Sequence, residues 1–165
     1  MTWQVVDRAE LLRASGDDPY VRTTCGAVTV GVVGKHGWAA LHRWRPTGFW
    51  GGLAVVRAGA QEDAESTALA ALLNAAPHIP VEWFSTAAGQ DLRLPAGFAF
   101  AGSGRWDFLS TATAPPPVRP PHGLTVVTLD DTVDAERLQE FGTTHNDDFE
   151  GFPGHGFSLL WRAVV

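Results

Sequence analysis

Cysteine, lysine and long apolar runs are scarce in this 165-residue chain, and each shortage excludes something. A single cysteine, Cys25, leaves no partner for an internal disulfide and no basis for a multi-cysteine metal site. No window approaches ~18 uninterrupted apolar residues, so the sequence offers no membrane-spanning helix. The opening, Met1 to Leu12, carries Asp7, Arg8 and Glu10 and lacks the apolar centre of a secretion signal. Positive charge is short too. Twelve Lys and Arg, of which only Lys35 is lysine, stand against 18 Asp and Glu, a net charge of -6. A chain so balanced has no electrostatic reason to seek nucleic acid or an anionic membrane. These shortages together predict a cytoplasmic protein.

What is present is globular. Hydrophobic residues make up 45% and charged residues 18%, which separates the chain from disordered sequences. Its length suits one ordinary domain, or one small domain with a piece of another. Seven Trp is many for this length, and several belong in core or interface positions.

Apolar spacing predicts a short helix over Asp7 to Ala14, with Asp7 as N-cap and Gly16 as its end. Pro19 argues against helix continuing through Asp18. Small and β-branched residues from Cys25 to Val33 read as a strand. Gly37 to Trp44 reads as a second, with Trp38, Ala40 and His42 on one face, and Phe49 to Val56 as a third. The short turns between them make an antiparallel meander. From Glu62 to Ala76, apolar residues recur at spacings of three and four, which predicts a helix packed on that sheet and stopped by Pro77. Val81 to Ser85 and Arg105 to Thr111 are further expected strands. The fold class expected is α+β, a mixed and mostly antiparallel sheet with packed helices.

Five prolines lie between Ala114 and Gly123: Pro115, Pro116, Pro117, Pro120 and Pro121. Such a run favours extended, semi-rigid chain and is the best domain boundary in the sequence. The expected organisation is therefore a domain over 1–113, a linker over 114–123 and a second unit over 124–165. In that unit Leu124 to Leu129 reads as a strand, Thr132 to Phe141 as a helix, Gly142 to Gly156 as a polar loop and Phe157 to Val165 as a last strand. About 42 residues cannot close a stable core alone. Either the last strand packs back on the first domain, or another chain completes it, or the gene product is longer. A second copy of the chain, as a homodimer, is one such partner.

The stretch Gly104-Arg105-Trp106-Asp107-Phe108-Leu109-Ser110-Thr111, the proline run and Leu124 to Asp131 resemble the junction in actinobacterial tandem GNAT-type N-acetyltransferases. There a GNAT-like domain ends in a W-[DE]-[WF]-x-x-T strand, and a proline linker leads into a catalytic GNAT domain. Trp3-Gln4-Val5-Val6-Asp7-Arg8 and Asp18-Pro19-Tyr20-Val21-Arg22 also fit the family. So does Pro153-Gly154-His155-Gly156 with Trp161. The resemblance implies a GNAT-like fold for the first domain and a partial GNAT-like unit after the linker. It also implies transfer of an acetyl group from acetyl-CoA to a small-molecule or peptide amine. In the family, backbone N–H groups of a loop R/Q-x-x-G-x-G/A, running from the fourth strand into a helix, hold the CoA pyrophosphate. No such loop follows the proline run.

The nearest counterpart lies between a strand and the Glu62 helix. It comprises Arg57, Gly59, Ala60 and Gln61, the cofactor-binding candidates. It has one Gly, its spacing is off by one, and Glu62, Asp63 and Glu65 follow, where three carboxylates repel pyrophosphate and stabilise a bare helix end. The other reading is a degenerate loop that keeps only the architecture. In the second unit, Asp147, Asp148 and Glu150 fall where the family lines its acceptor pocket, and they would attract an amine. His145 and His155 nearby could join them as metal ligands, but no histidine pair at helical spacing is present, and a solvated loop is the plainer reading. No residue is assigned as catalytic, and no metal site is assigned. Cys25, in a predicted buried strand, reads as a small hydrophobe rather than a nucleophile. His36, His42 and His78 are scattered. Trp38, Trp44, Phe49 and Trp50, with Arg43 and Arg45 beside them, form either a core cluster or an apolar groove. The alternative to an acetyltransferase is a non-catalytic, GNAT-derived binding or dimerisation module.

Overall fold

The run Trp38-Ala39-Ala40-Leu41-His42 is buried at every residue, so its strand needs a layer of side chains on each of its faces. The computed structural model supplies both. It describes the chain except Met1, Ala27, Thr47, Ala58, Gln61, Glu62, Asp91, Ala114, Pro115, Pro117, Val118, Pro121, Asp148, Glu150, 156–159 and Val165, and it describes 160–164 by their backbone. The chain divides into two compact units, Met1–Ser110 and Thr111–Val165.

The first unit contains β1 (Trp3–Val6), α1 (Arg8–Ala14), α2 (Pro19–Thr23), β2 (Thr29–Gly34), β3 (Gly37–Arg43), β4 (Trp50–Val56), α3 (Ala64–Ala75) and β5 (Val81–Ser85). The five strands form one sheet in chain order. Neighbours from β1 to β4 are antiparallel, while β5 lies parallel to β4. A parallel neighbour requires a crossover, and α3 is that crossover. This is an α+β unit with a mostly antiparallel sheet.

Local chemistry explains the ends of the helices. The Asp7 carboxylate accepts the Glu10 N–H at 2.8 Å and starts α1. At its end Gly16 takes φ +73, its N–H bonds to Arg13 O and that of Asp17 to Leu12 O, a Schellman closure. The expected helix therefore stands. Pro19, which argues against a continued helix, instead opens a new one: Asp18 caps the Tyr20 N–H and Pro19 occupies the first turn of α2, where its missing N–H costs nothing. Arg8 closes the other end of α2 by donating to Arg22 O and Cys25 O.

Alternation along the strands sorts the core. Trp38, Ala40, Leu53 and Val6 pack with Leu11 of α1 and with Tyr20, Val21 and Cys25. Val32, Ala39, Leu41, Trp50 and Ala54 pack with Ala68 and Leu72 of α3 on the opposite face. The four aromatics expected together are thus divided. Trp38 and Trp50 lie in different layers, because their positions on adjacent strands have opposite parity, and Phe49 is exposed.

Arg105 to Thr111, expected as a strand, pairs with no strand among the described residues. Its alternation is genuine but serves side chains: Trp106 and Phe108 both reach the Tyr20 ring while the backbone joins no ladder. β1, a strand that no sequence signal above predicts, is a four-residue edge strand.

The second unit holds β6 (Val126–Asp130) paired antiparallel with β7 (Leu160–Val164), and α4 (Ala135–His145). Leu129 and Leu138 are its buried centre. The helix runs through Gly142 instead of stopping at Phe141. The Phe149 ring lies so close over Gly142 that any Cβ there would collide with it, so glycine is needed for packing and not as a stop.

One glycine in the first unit carries similar weight. His42, Gly51 and Trp83 stand in register across β3, β4 and β5. The Trp83 indole lies over Gly51, where a Cβ would overlap it. Gly51→Ala should therefore cost about 1–3 kcal/mol by overpacking. A fall of several degrees in the melting temperature of the chain is the expected readout.

Candidate functional site

Two of the candidate regions come from the sequence and one only from the fold. The first is the connection from β4 to α3. Arg57 and Gly59 are exposed and Ala60 is half-buried, whereas Gln61 lies outside the described residues. The Arg57 N–H bonds to His36 O at 2.8 Å, and the Ala60 N–H returns to Arg57 O at 3.2 Å. With Gly59 at φ +86, this is a turn whose third position requires a left-handed residue. Open space around Gly59 would admit a ligand, since a Cβ there meets nothing within 4 Å. Two of the backbone donors are nonetheless committed inside the protein, and Glu65 puts a carboxylate in the first turn of α3. In this conformation the segment does not fit the successive free N–H groups that a pyrophosphate needs.

The second region follows α4. Asp147 is exposed, and Asp148 and Glu150 lie outside the described residues. His145 stacks against Phe141 at 4.6 Å, and His155 is exposed. Among the described residues, no three His, Cys, Asp or Glu side chains converge as ligands of a metal ion would.

The third region is assembled from distant positions. On the α2 face of the sheet, the Tyr20 phenol lies 2.6 Å from Nε2 of His42, with both residues buried. Burial pushes the Tyr20 hydroxyl well above its usual range, and Cys25 adds to this only where its thiol is ionised. Burial likewise holds the His42 imidazole below its usual value, partly offset by its bond to the Arg43 carbonyl. The phenol therefore keeps its proton and donates it to Nε2. The ring proton then belongs on Nδ1, which faces Arg43 O at 3.4 Å. Both groups are neutral at pH 7.

Aromatic rings surround this pair. Trp83 meets His42 edge to face at 5.9 Å and Trp44 at 6.1 Å. Trp106 lies 6.4 Å from Trp83 and 6.3 Å from Tyr20, and Phe108 lies 5.3 Å from Tyr20. The Trp106 indole donates to Ser85 Oγ at 2.8 Å. At the rim Arg45 lies 4.1 Å over Trp44 and pairs with Glu82 at 3.3 Å, the cation–π contact expected from its neighbourhood in sequence. Edge-to-face pairs of this kind add about 0.5–1.5 kcal/mol each beyond area burial. His42 was legible as an inward residue from its parity with Trp38 and Ala40. Tyr20 was not, because it depends on α2. Trp83 and Trp106 join from positions that no local window connects.

Cys25 is buried and its thiol is pushed up to about 12, by burial first and by Asp18, against a lowering from Arg8. It packs in the core as expected, but from the connection between α2 and β2 and not from a strand, since β2 starts at Thr29. Of the two histidines grouped with His42 in the sequence analysis, His36 is half-buried and His78 exposed, and neither belongs to the cluster.

No protein-family model, no curated protein and no solved structure matches this chain. Among the described residues no helix is long and apolar enough to cross a membrane.

Two outcomes follow from this geometry. Tyr20→Phe leaves the buried Nε2 of His42 without its donor and should cost about 1–3 kcal/mol, read by urea denaturation at pH 7.5. Cys25 should resist a thiol-exchange reagent at pH 8 until the chain is unfolded, with a rate at least about a hundredfold below that of a free thiol.

Proposed function

We propose that this chain is a GNAT-type N-acetyltransferase or part of one, moving an acetyl group from acetyl-CoA to an amine. The observation that supports the reading is a connection in the first unit. The fourth strand of its sheet leaves through a short glycine turn, enters α3, and returns as a parallel fifth strand. That is the strand-loop-helix arrangement in which the resembling family places its pyrophosphate loop. In such an enzyme the amine attacks the thioester, a backbone N–H polarises the carbonyl, and a base takes the amine proton. Asp147, Asp148 and Glu150 are the candidates to attract the amine.

The committed N–H groups of Arg57 and Ala60 favour a narrower role for the first unit itself. On this second reading it is a non-catalytic, GNAT-derived module for binding or dimerisation. Its β4–α3 turn then keeps the architecture without the ligand.

A thermal-shift titration with acetyl-CoA separates the readings. Saturating acetyl-CoA should raise the melting temperature by about 1–3 °C or more through mass action. Gly59→Trp fills the open space at that turn and should abolish the shift. If the variant keeps the shift, acetyl-CoA does not sit on residues 57–63 and the turn no longer supports the reading. If the unmodified chain shows no shift and light scattering shows a dimer, acetyl transfer is withdrawn and the module stands.

A further inference from the structure

The segment 99–110 is wholly exposed by residue and, among the described residues, joins no backbone hydrogen bond. Two side chains hold it to the first unit. The Trp106 indole bonds to Ser85 and lies against Tyr20 and Trp83, and Phe108 lies against Tyr20. Both rings are still about half exposed, 51% for Trp106 and 44% for Phe108. Each aromatic seat of this segment thus involves Tyr20, or Trp83 beside it, and the orientation of Tyr20 is set by His42. We propose that Trp106 and Phe108 form a latch on the first unit, closed while the Tyr20–His42 pair is neutral and opened when His42 takes up a proton.

The argument is one of hydrogen-bond valence. Neutral His42 accepts from Tyr20 through Nε2 and donates from Nδ1 toward Arg43 O. An imidazolium donates from both nitrogens and cannot accept. The Tyr20 oxygen would have to turn from donor to acceptor, leaving its own O–H buried without a partner, or the phenol would have to move. A buried donor left unsatisfied is costly, and moving the phenol shifts the platform on which both rings of the segment rest.

The groups around His42 offer the added charge little compensation. From α2 comes Tyr20, with the Cys25 thiol acting on it. β2 contributes Thr29, β4 contributes Gly51 and β5 contributes Trp83. Beyond Trp83 and Trp44 lies the Arg45–Glu82 pair, already matched in charge. The segment brings Trp106 and Phe108, with Arg105 and Asp107 exposed beside them. Burial alone already lowers the imidazole's affinity for a proton.

The sign is fixed by linkage. A histidine whose affinity for protons is depressed in the closed state binds more protons in the open one. The closed state is therefore fully favoured above the ordinary histidine range and loses ground as pH falls below about 6.5. One proton gives at most about a tenfold rise in the open-to-closed ratio per pH unit.

The test labels the full chain with 5-fluorotryptophan and follows the Trp106 fluorine signal, assigned with Trp106→Phe, from pH 7.5 to 5. The expected result is movement of that signal toward its position in the unfolded chain, while the far-ultraviolet circular dichroism of the sheet is retained. His42→Gln can still accept from Tyr20 but cannot titrate, so its Trp106 signal should hold still. A signal that does not move in the natural chain, or that moves equally in His42→Gln, overturns the proposal. So does loss of the sheet spectrum at the same midpoint. Should the variant fail to fold, the His42 ring proton is titrated in the natural chain instead. Coincidence of its midpoint with that of Trp106 supports the latch, and separate midpoints overturn it.

Discussion

Burial of β3 on both faces is the constraint to which the rest of the first unit answers. A strand covered on both sides cannot satisfy its side chains within one helix layer, so α1 and α2 must lie on one face and α3 on the other. The crossover through α3 follows from that need. It lets the chain leave β4, cover the second face and come back beside the strand it left. The Trp3 indole adds a tie from the opposite edge by donating to the Thr67 hydroxyl of α3 at 3.0 Å.

The same constraint makes room for the aromatic cluster. A row across three strands reads histidine, glycine, tryptophan, and the missing side chain at Gly51 lets the indole of Trp83 lie flat enough to reach His42. A polar pair then sits in an apolar layer with its hydrogen bonds met internally. Such a pair fixes ring positions more sharply than apolar contacts would, because any displacement leaves a donor or an acceptor unmet. Its place in the fold is that of a positioning device for the rings stacked on it.

Much of the architecture is legible from local signals, and the exceptions have physical causes. The strands β3 and β4 and the helix α3 announce themselves by period, and α1 by its cap and terminal glycine. The helix α2 is shorter than the window over which apolar period can be read, and only its Asp-Pro start marks it. Arg105 to Thr111 has the alternation of a strand, but alternation reports which side chains share a face and not whether a neighbouring backbone is within reach. Gly142 resembles a stop and is in fact the seat of the Phe149 ring. Of the candidate sites, the inward placement of His42 was readable. The rings of Tyr20, Trp83 and Trp106 meet it across long chain separations that only the folded sheet closes. The turn at Arg57 to Ala60 was placed by the sequence between the right elements. Which of its N–H groups are already engaged is a matter of the hairpin carbonyl at His36, which no motif encodes.

The strand order of the first unit matches the order of its chain. Every strand after the first finds its neighbour already made, and the sheet lengthens at a single growing edge. The β2–β3 and β3–β4 connections are short, and the two longer ones are taken up by helices, so chain entropy opposes the central pairings least. Such a sheet suits assembly during synthesis, because β1 to β4 are neighbours in chain order and β5, which follows α3, is the last edge the chain supplies.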